Sequence, residues 1–191
     1  SGQDAYALAV GSYSKANAHM AVGVGALANA TGTESTAVGA GSKATAKNSQ
    51  AFGARNTASG QHATAIGYGN TSKVEDTITI GTSNNANTGG GIAIGQNNLA
   101  DATANGGRNA GSTQIAIGRD NRAAREDTIA IGREAKAEND LSVAIGNRTE
   151  ATANAAIAIG TNGAPSGGNT YKTTASGFAS IAVGMQSEAT A

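Results

Sequence analysis

The sequence predicts an all-β fold, a flattened parallel β-roll of about twelve 14-residue coils filling residues 1–191 as a single repeat domain. The first sign is a glycine that follows a short apolar run twelve times: Gly11, Gly23, Gly39, Gly53, Gly67, Gly81, Gly95, Gly118, Gly132, Gly146, Gly160 and Gly184. Seven of the eleven steps between these glycines are 14 residues, the others being 12, 16, 23 and 24. A fixed period of this length marks a solenoid, whose units bury their apolar faces only against their neighbours. The second sign is the residue alternation before each glycine, and the third is that two short strands and two turns leave no length for a helix.

One residue before the glycine the chain carries Val, Ile or Phe52, and three before it mostly Ile, Val or Leu. Ala stands between them in eleven units and Thr79 in the twelfth. Branched residues alternating with Ala have the period of a strand, and two apolar faces mean that both are covered. Five residues after the glycine a second Ala recurs, with Ser72 and Pro165 as exceptions, between mostly polar neighbours such as Lys136 and Glu138. This is a second strand with one small apolar face and one wet face. Gly67, Gly81, Gly95, Gly118, Gly132, Gly146 and Gly160 supply turn conformations that a Cβ would resist.

Stacked at a strand spacing of about 4.8 Å, twelve such coils make a rod on the order of 55 Å long. Large-against-small packing places the Ile and Val columns inside, opposite the second-strand alanines. Ala93, Ala116, Ala130, Ala144 and Ala158 then form an outward stripe suited to close approach of another chain. The reverse, with Ala inside and Ile between subunits, stays open. In either case a sheet apolar on both faces implies oligomerisation.

Composition narrows the function classes. Aromatic residues make up 3% and Trp is absent, which argues against an ordinary globular core. The apolar residues recur in phase, so the glycine-rich composition signals an ordered repeat and not a disordered chain. Thirteen basic and thirteen acidic residues cancel, and no net field draws the chain toward nucleic acid or an anionic membrane. Without cysteine there are no disulfides, thiolate metal sites or Cys nucleophiles. No apolar run approaches the ~18 residues of a membrane-spanning helix. The opening SGQDAYALAV lacks the basic start and long apolar stretch of a signal peptide, so the chain is expected to be a piece of something larger.

Two insertions break the period, one near residues 102–112 and one near 161–174. Insertions in solenoids map to loops on one face, often a binding face. Tyr171 and Arg108 within them, with Tyr68 and Tyr13 in turns, are the candidate ligand contacts, since exposed aromatics and arginines recur at interface centres.

Catalytic and metal chemistry find little support. His19 and His62 lie about 15 Å apart along the stack, too far to share a metal. Asp76, Asp127 and Asp140 are better explained as turn caps than as acid/base pairs. Neither the GGxGxD pattern of calcium rolls nor a phosphate loop occurs. No cofactor is expected. Lys43, Arg55, Arg119, Arg122, Arg133, Lys136 and Arg148 point outward among Glu134, Glu138, Asp140 and Glu150, and read as a solvated mixed surface.

DLSVAIGNRTEATA (Asp140–Ala153), DTIAIGREAKA (Asp127–Ala137), TAVGAGSKATA (Thr36–Ala46) and ATAIGYGNTS (Ala63–Ser72) resemble the YadA-like head of trimeric autotransporter adhesins over essentially the whole chain. The resemblance implies a left-handed roll, a homotrimer, display at the bacterial cell surface, and attachment to host extracellular matrix, cells or other bacteria without catalysis. It implies membrane anchoring only through a C-terminal part missing here, and the stalk and neck are missing too. Thr36, Gln50 and Thr64 are polar where later units carry Ile or Val, which sets the N-terminal third apart. Two alternatives accompany this reading. One is a non-adhesive spacer or self-association module. The other is a β-solenoid enzyme, for which no six-residue period or cluster of His and Asp is found.

Overall fold

Each 14-residue unit folds into one coil made of a wide strand, a turn at the glycine, a two-residue narrow strand and a return turn. The computed structural model describes residues 6–101, 113–161 and 172–190. The coils stack into two parallel twelve-stranded sheets lying back to back, one of wide strands and one of narrow strands. Within each sheet, every strand between the two edges pairs with its counterparts one coil before and one coil after. No helix occurs among the described residues. The insertions leave the register intact. Ile92 pairs with Ile115 across the first, and Ala151 with Ala175 across the second. Residues 102–112 and 162–171, which hold most of both insertions together with Arg108 and Tyr171, lie outside the described residues.

The repeat is stricter at its N-terminus than the sequence suggested. Leu8, Ala9 and Val10 pair with Val22, Gly23 and Val24, which pair in turn with Thr36, Ala37 and Val38. Gly23 therefore sits in the strand at the position of the interior Ala. The turn glycine of that coil is Gly25, whose φ of +123° matches +122° at Gly11 and +118° at Gly39. Both steps become 14 residues, and the interior Ala of the next narrow strand is Ala30. The ambiguity came from the run Val22-Gly-Val-Gly25, in which either glycine follows a branched residue.

The larger correction concerns facing. Ala93, Ala116, Ala130, Ala144 and Ala158, expected on an outward stripe, are 0% exposed within a single chain. They fill the space between the sheets, packed with Ala86, Ala100, Ala123, Ala137 and Ala151 of the narrow strands in one continuous cluster. The Ile and Val columns point the other way, onto the outer face of the wide sheet, where Ile66, Ile80 and Ile159 keep over a third of their surface. The tight turns hold the sheets so near one another that a methyl from each side all but completes the interior, leaving no room for a column of Ile side chains. Thr36, Gln50 and Thr64 share that outer face, so the polar residues of the N-terminal third interrupt an external column and not the core.

The two polar exceptions among the interior alanines meet each other. Ser72 and Thr79 are both fully buried, and their hydroxyls lie 2.8 Å apart in a hydrogen bond. A second bond from Ser72 Oγ to the Thr64 carbonyl satisfies the pair, as buried hydroxyls require.

At the glycine turn the stack is tied by an asparagine ladder that the sequence reading missed. Asn56, Asn70, Asn84, Asn98 and Asn121, each three residues after its glycine, are buried in one column. Asn84 is typical. Its Nδ2 donates to the Ile80 carbonyl at 2.9 Å and to the Gly95 carbonyl of the next coil at 2.8 Å. Its Oδ1 accepts the Asn98 backbone N–H at 3.0 Å. One side chain thus closes its own turn and bonds two backbone groups of the neighbouring rung. The signal was present as Asn at one fixed offset in five successive units. Asn84→Ala takes the partner from those three backbone groups and is expected to cost about 3 kcal/mol, read as a lower urea midpoint with an unchanged slope.

Candidate functional site

The solenoid presents four longitudinal surfaces, and their chemistry differs. The outer face of the wide sheet is aliphatic. One column runs Val24, Val38, Phe52, Ile66, Ile80, Ile94, and on through Ile117, Ile131 and Ile145 in perfect register. Beside it a second column runs through Ile78, Ile92, Ile115, Ile129 and Val143. Stacked rungs about 4.8 Å apart make this a continuous apolar wall several coils long. Lone surface aliphatics need no explanation, but a wall of this extent marks an interaction surface.

The outer face of the narrow sheet and the two turn columns are mostly polar, with Leu27 and Leu141 as exposed exceptions. In the C-terminal half they carry a network of ion pairs. Arg148 Nε lies 2.7 Å from Glu134, Lys136 Nζ 3.2 Å and Lys172 Nζ 2.6 Å from Glu150, and Arg122 3.3 Å from Glu138. Arg119 and Arg133 lie beside Asp120 and Glu134. The hydrogen bond from Arg148 is the main reason the Glu134 carboxyl titrates below its ordinary range. At Glu150 burial pushes the pKa up, but the hydrogen bonds from Lys172 and Lys136 outweigh it and the net shift is downward. These carboxylates therefore hold their partners at neutral pH and release them only in acid. Most of the cations read from sequence as a mixed surface are paired in this way, each pair being worth little individually at such exposure.

The N-terminal half is different. Lys15 and Lys43 have no carboxylate partner among the described residues. They line a shallow groove of about 290 Å³ with Tyr13, Leu27, Asn29 and Gly41. Tyr13, a contact candidate from sequence, is 80% exposed at the groove wall. Tyr68, another, stands several coils away on a separate patch. There the Arg55 guanidinium lies 5.8 Å above its ring and donates to its hydroxyl at 3.0 Å. The fold thus keeps these two tyrosines apart, while Tyr171 and Arg108 fall outside the described residues.

Two turn columns hold residues in the left-handed region, including Leu27, Arg55, Asp120, Glu134 and Arg148 on one side and Glu34, His62, Asp76 and Leu141 on the other. Each is held there by a backbone N–H donated to the coil before, as from Arg148 to Arg133 and from Asp76 to Gln61. The carboxylates read as turn caps divide. Asp127 accepts the Thr113 backbone N–H at 2.9 Å, whereas Asp76 lies 3.0 Å from His62 Nδ1. Sequence reasoning weighed His62 against the distant His19 and overlooked the partner 14 residues on. The coil period is the signal that finds it.

A parallel solenoid with an alanine interior, glycine-pinned turns and one aliphatic wall defines a class of rod-like repeat proteins. The sequence model described as YadA head domain repeat (2 copies) matches residues 20–42, 30–56, 44–70, 115–135 and 137–162, together just over half of the chain. The chain belongs to the YadA head family, the β-roll head of trimeric autotransporters. Comparison with curated proteins gives no significant match.

Proposed function

We propose that this chain is the non-enzymatic head of a bacterial surface adhesin. Three copies pack the aliphatic walls of their wide sheets around one axis and turn their polar walls outward. The observation that carries this reading is the wall itself. One apolar column runs the length of the stack and a second runs beside it from Ile78 onward, and no part of the described chain covers them. Family membership supports the number three and the location at the bacterial surface. A stiff rod with three equivalent sides presents each contact patch three times, and multivalent attachment raises avidity without tighter single contacts.

The outward surfaces left for ligand are the narrow sheet and the turn columns. The groove at Tyr13, Lys15 and Lys43 and the Arg55–Tyr68 patch are the contact points proposed here, for a matrix or cell-surface protein of the host. The test is solid-phase binding of the purified protein to a panel of matrix proteins, beside the same protein carrying Tyr13→Ala and Lys43→Ala. Saturable binding weakened several-fold by the double substitution supports both the adhesive role and the groove. Binding unaffected by it removes the groove alone. No binding to any matrix protein or cell surface favours a spacer or self-association module.

A further inference from the structure

We propose that His62, Glu75 and Asp76 form a surface site for a divalent first-row transition ion, with zinc as its natural probe. The three residues are the one group among the described residues whose His and carboxylate ligand atoms converge, all within 4.8 Å of one another. The convergence is a product of the stack. Asn48, His62, Asp76 and Gly90 follow one another down a turn column, and Lys47, Gln61, Glu75 and Gly89 down the column beside it. Backbone bonds from His62 to the Lys47 carbonyl and from Asp76 to the Gln61 carbonyl, both 3.0 Å, fix the positions from which the ligands reach. His62 Nδ1 and Asp76 Oδ1 already stand 3.0 Å apart, close to the separation of two ligands on one tetrahedral ion. Glu75 is exposed and closes the third position by side-chain rotation.

On the next rung Gly89 and Gly90 bring no side chains, and among the described residues a Cβ built on Gly90 meets only the Thr113 hydroxyl, at 3.5 Å. Water or an external ligand would complete the coordination. The donor set decides the ion class. One imidazole nitrogen and two carboxylates neutralise a divalent charge, and imidazole selects zinc, nickel or copper over calcium and magnesium. An ion there ties two successive coils together at their corner, and its open position faces solvent.

Isothermal titration of the intact protein with zinc chloride, in a buffer that does not chelate, tests the assignment. One ion per chain is expected, with affinity falling tenfold or more in His62→Ala and in Asp76→Asn but unchanged in His19→Ala. Zinc is also expected to raise the unfolding midpoint of the parent and not that of His62→Ala, since an ion that binds only the folded stack stabilises it. Circular dichroism of the variants verifies that the fold is intact. Absence of zinc binding, equal binding by His62→Ala, or calcium binding in its place would each overturn the site.

Discussion

Gly118→Ala is expected to destabilise the solenoid by about 4 kcal/mol or more, the range reached only when backbone geometry itself is blocked. Two effects combine there. The residue has φ +124°, which L side chains rarely adopt, and an added Cβ would lie 1.9 Å from the Gly132 carbonyl oxygen of the next coil. That oxygen also receives the Asn121 side chain at 2.8 Å, so moving it aside breaks the asparagine ladder as well. Gly67, Gly81, Gly95, Gly132, Gly146 and Gly160 repeat the close approach, each Cβ falling 1.6–2.1 Å from the following glycine's oxygen. Gly41→Ala serves as the comparison. It too has positive φ, +67°, but its Cβ would meet only the Arg55 side chain at 3.9 Å. It is expected to cost about 1 kcal/mol, the conformational share alone. Urea denaturation of both variants checks this, and equal losses would show that conformation, not the axial contact, selects glycine.

Ile131→Glu combined with Ile145→Glu is expected to dissociate the proposed trimer into folded monomers, as measured by light scattering together with circular dichroism. Both side chains lie half-buried on the outer face of the wide sheet, where a carboxylate is tolerated in a free chain and repelled in a packed interface. Ala144→Glu is expected to behave oppositely. Ala144 is wholly enclosed among interior alanines, and a carboxylate there has neither water nor a partner. Loss of the fold by more than about 4 kcal/mol follows. A double Ile variant that remained fully assembled would move the subunit contact to another face. An Ala144→Glu chain that stayed folded would place that column outside after all.

These two substitutions also separate what was legible in the chain from what was not. Alternation of Ile and Ala announced a strand apolar on both faces, and that reading stands. Which face turned inward depended on how far apart the two sheets lie, and large-against-small packing presumed a wider gap than the turns allow. Ser72 and Thr79 looked like two unrelated lapses until the coil brought their hydroxyls together. Asn at a constant offset after the glycine was visible but had no meaning without the neighbouring rung whose carbonyls it bonds. His62 and Asp76 are partners for the same reason.

Period and strand character can be read directly along the chain, because they lie in the order of the residues themselves; the turn glycines are visible there too, although the carbonyl of the next coil helps to impose them. The facing of the alanines, the phase at Gly25 and every partnership across 14 residues were settled by stacking. Those features answer to the gap between two sheets and to the rung above, neither of which exists until the coil has closed.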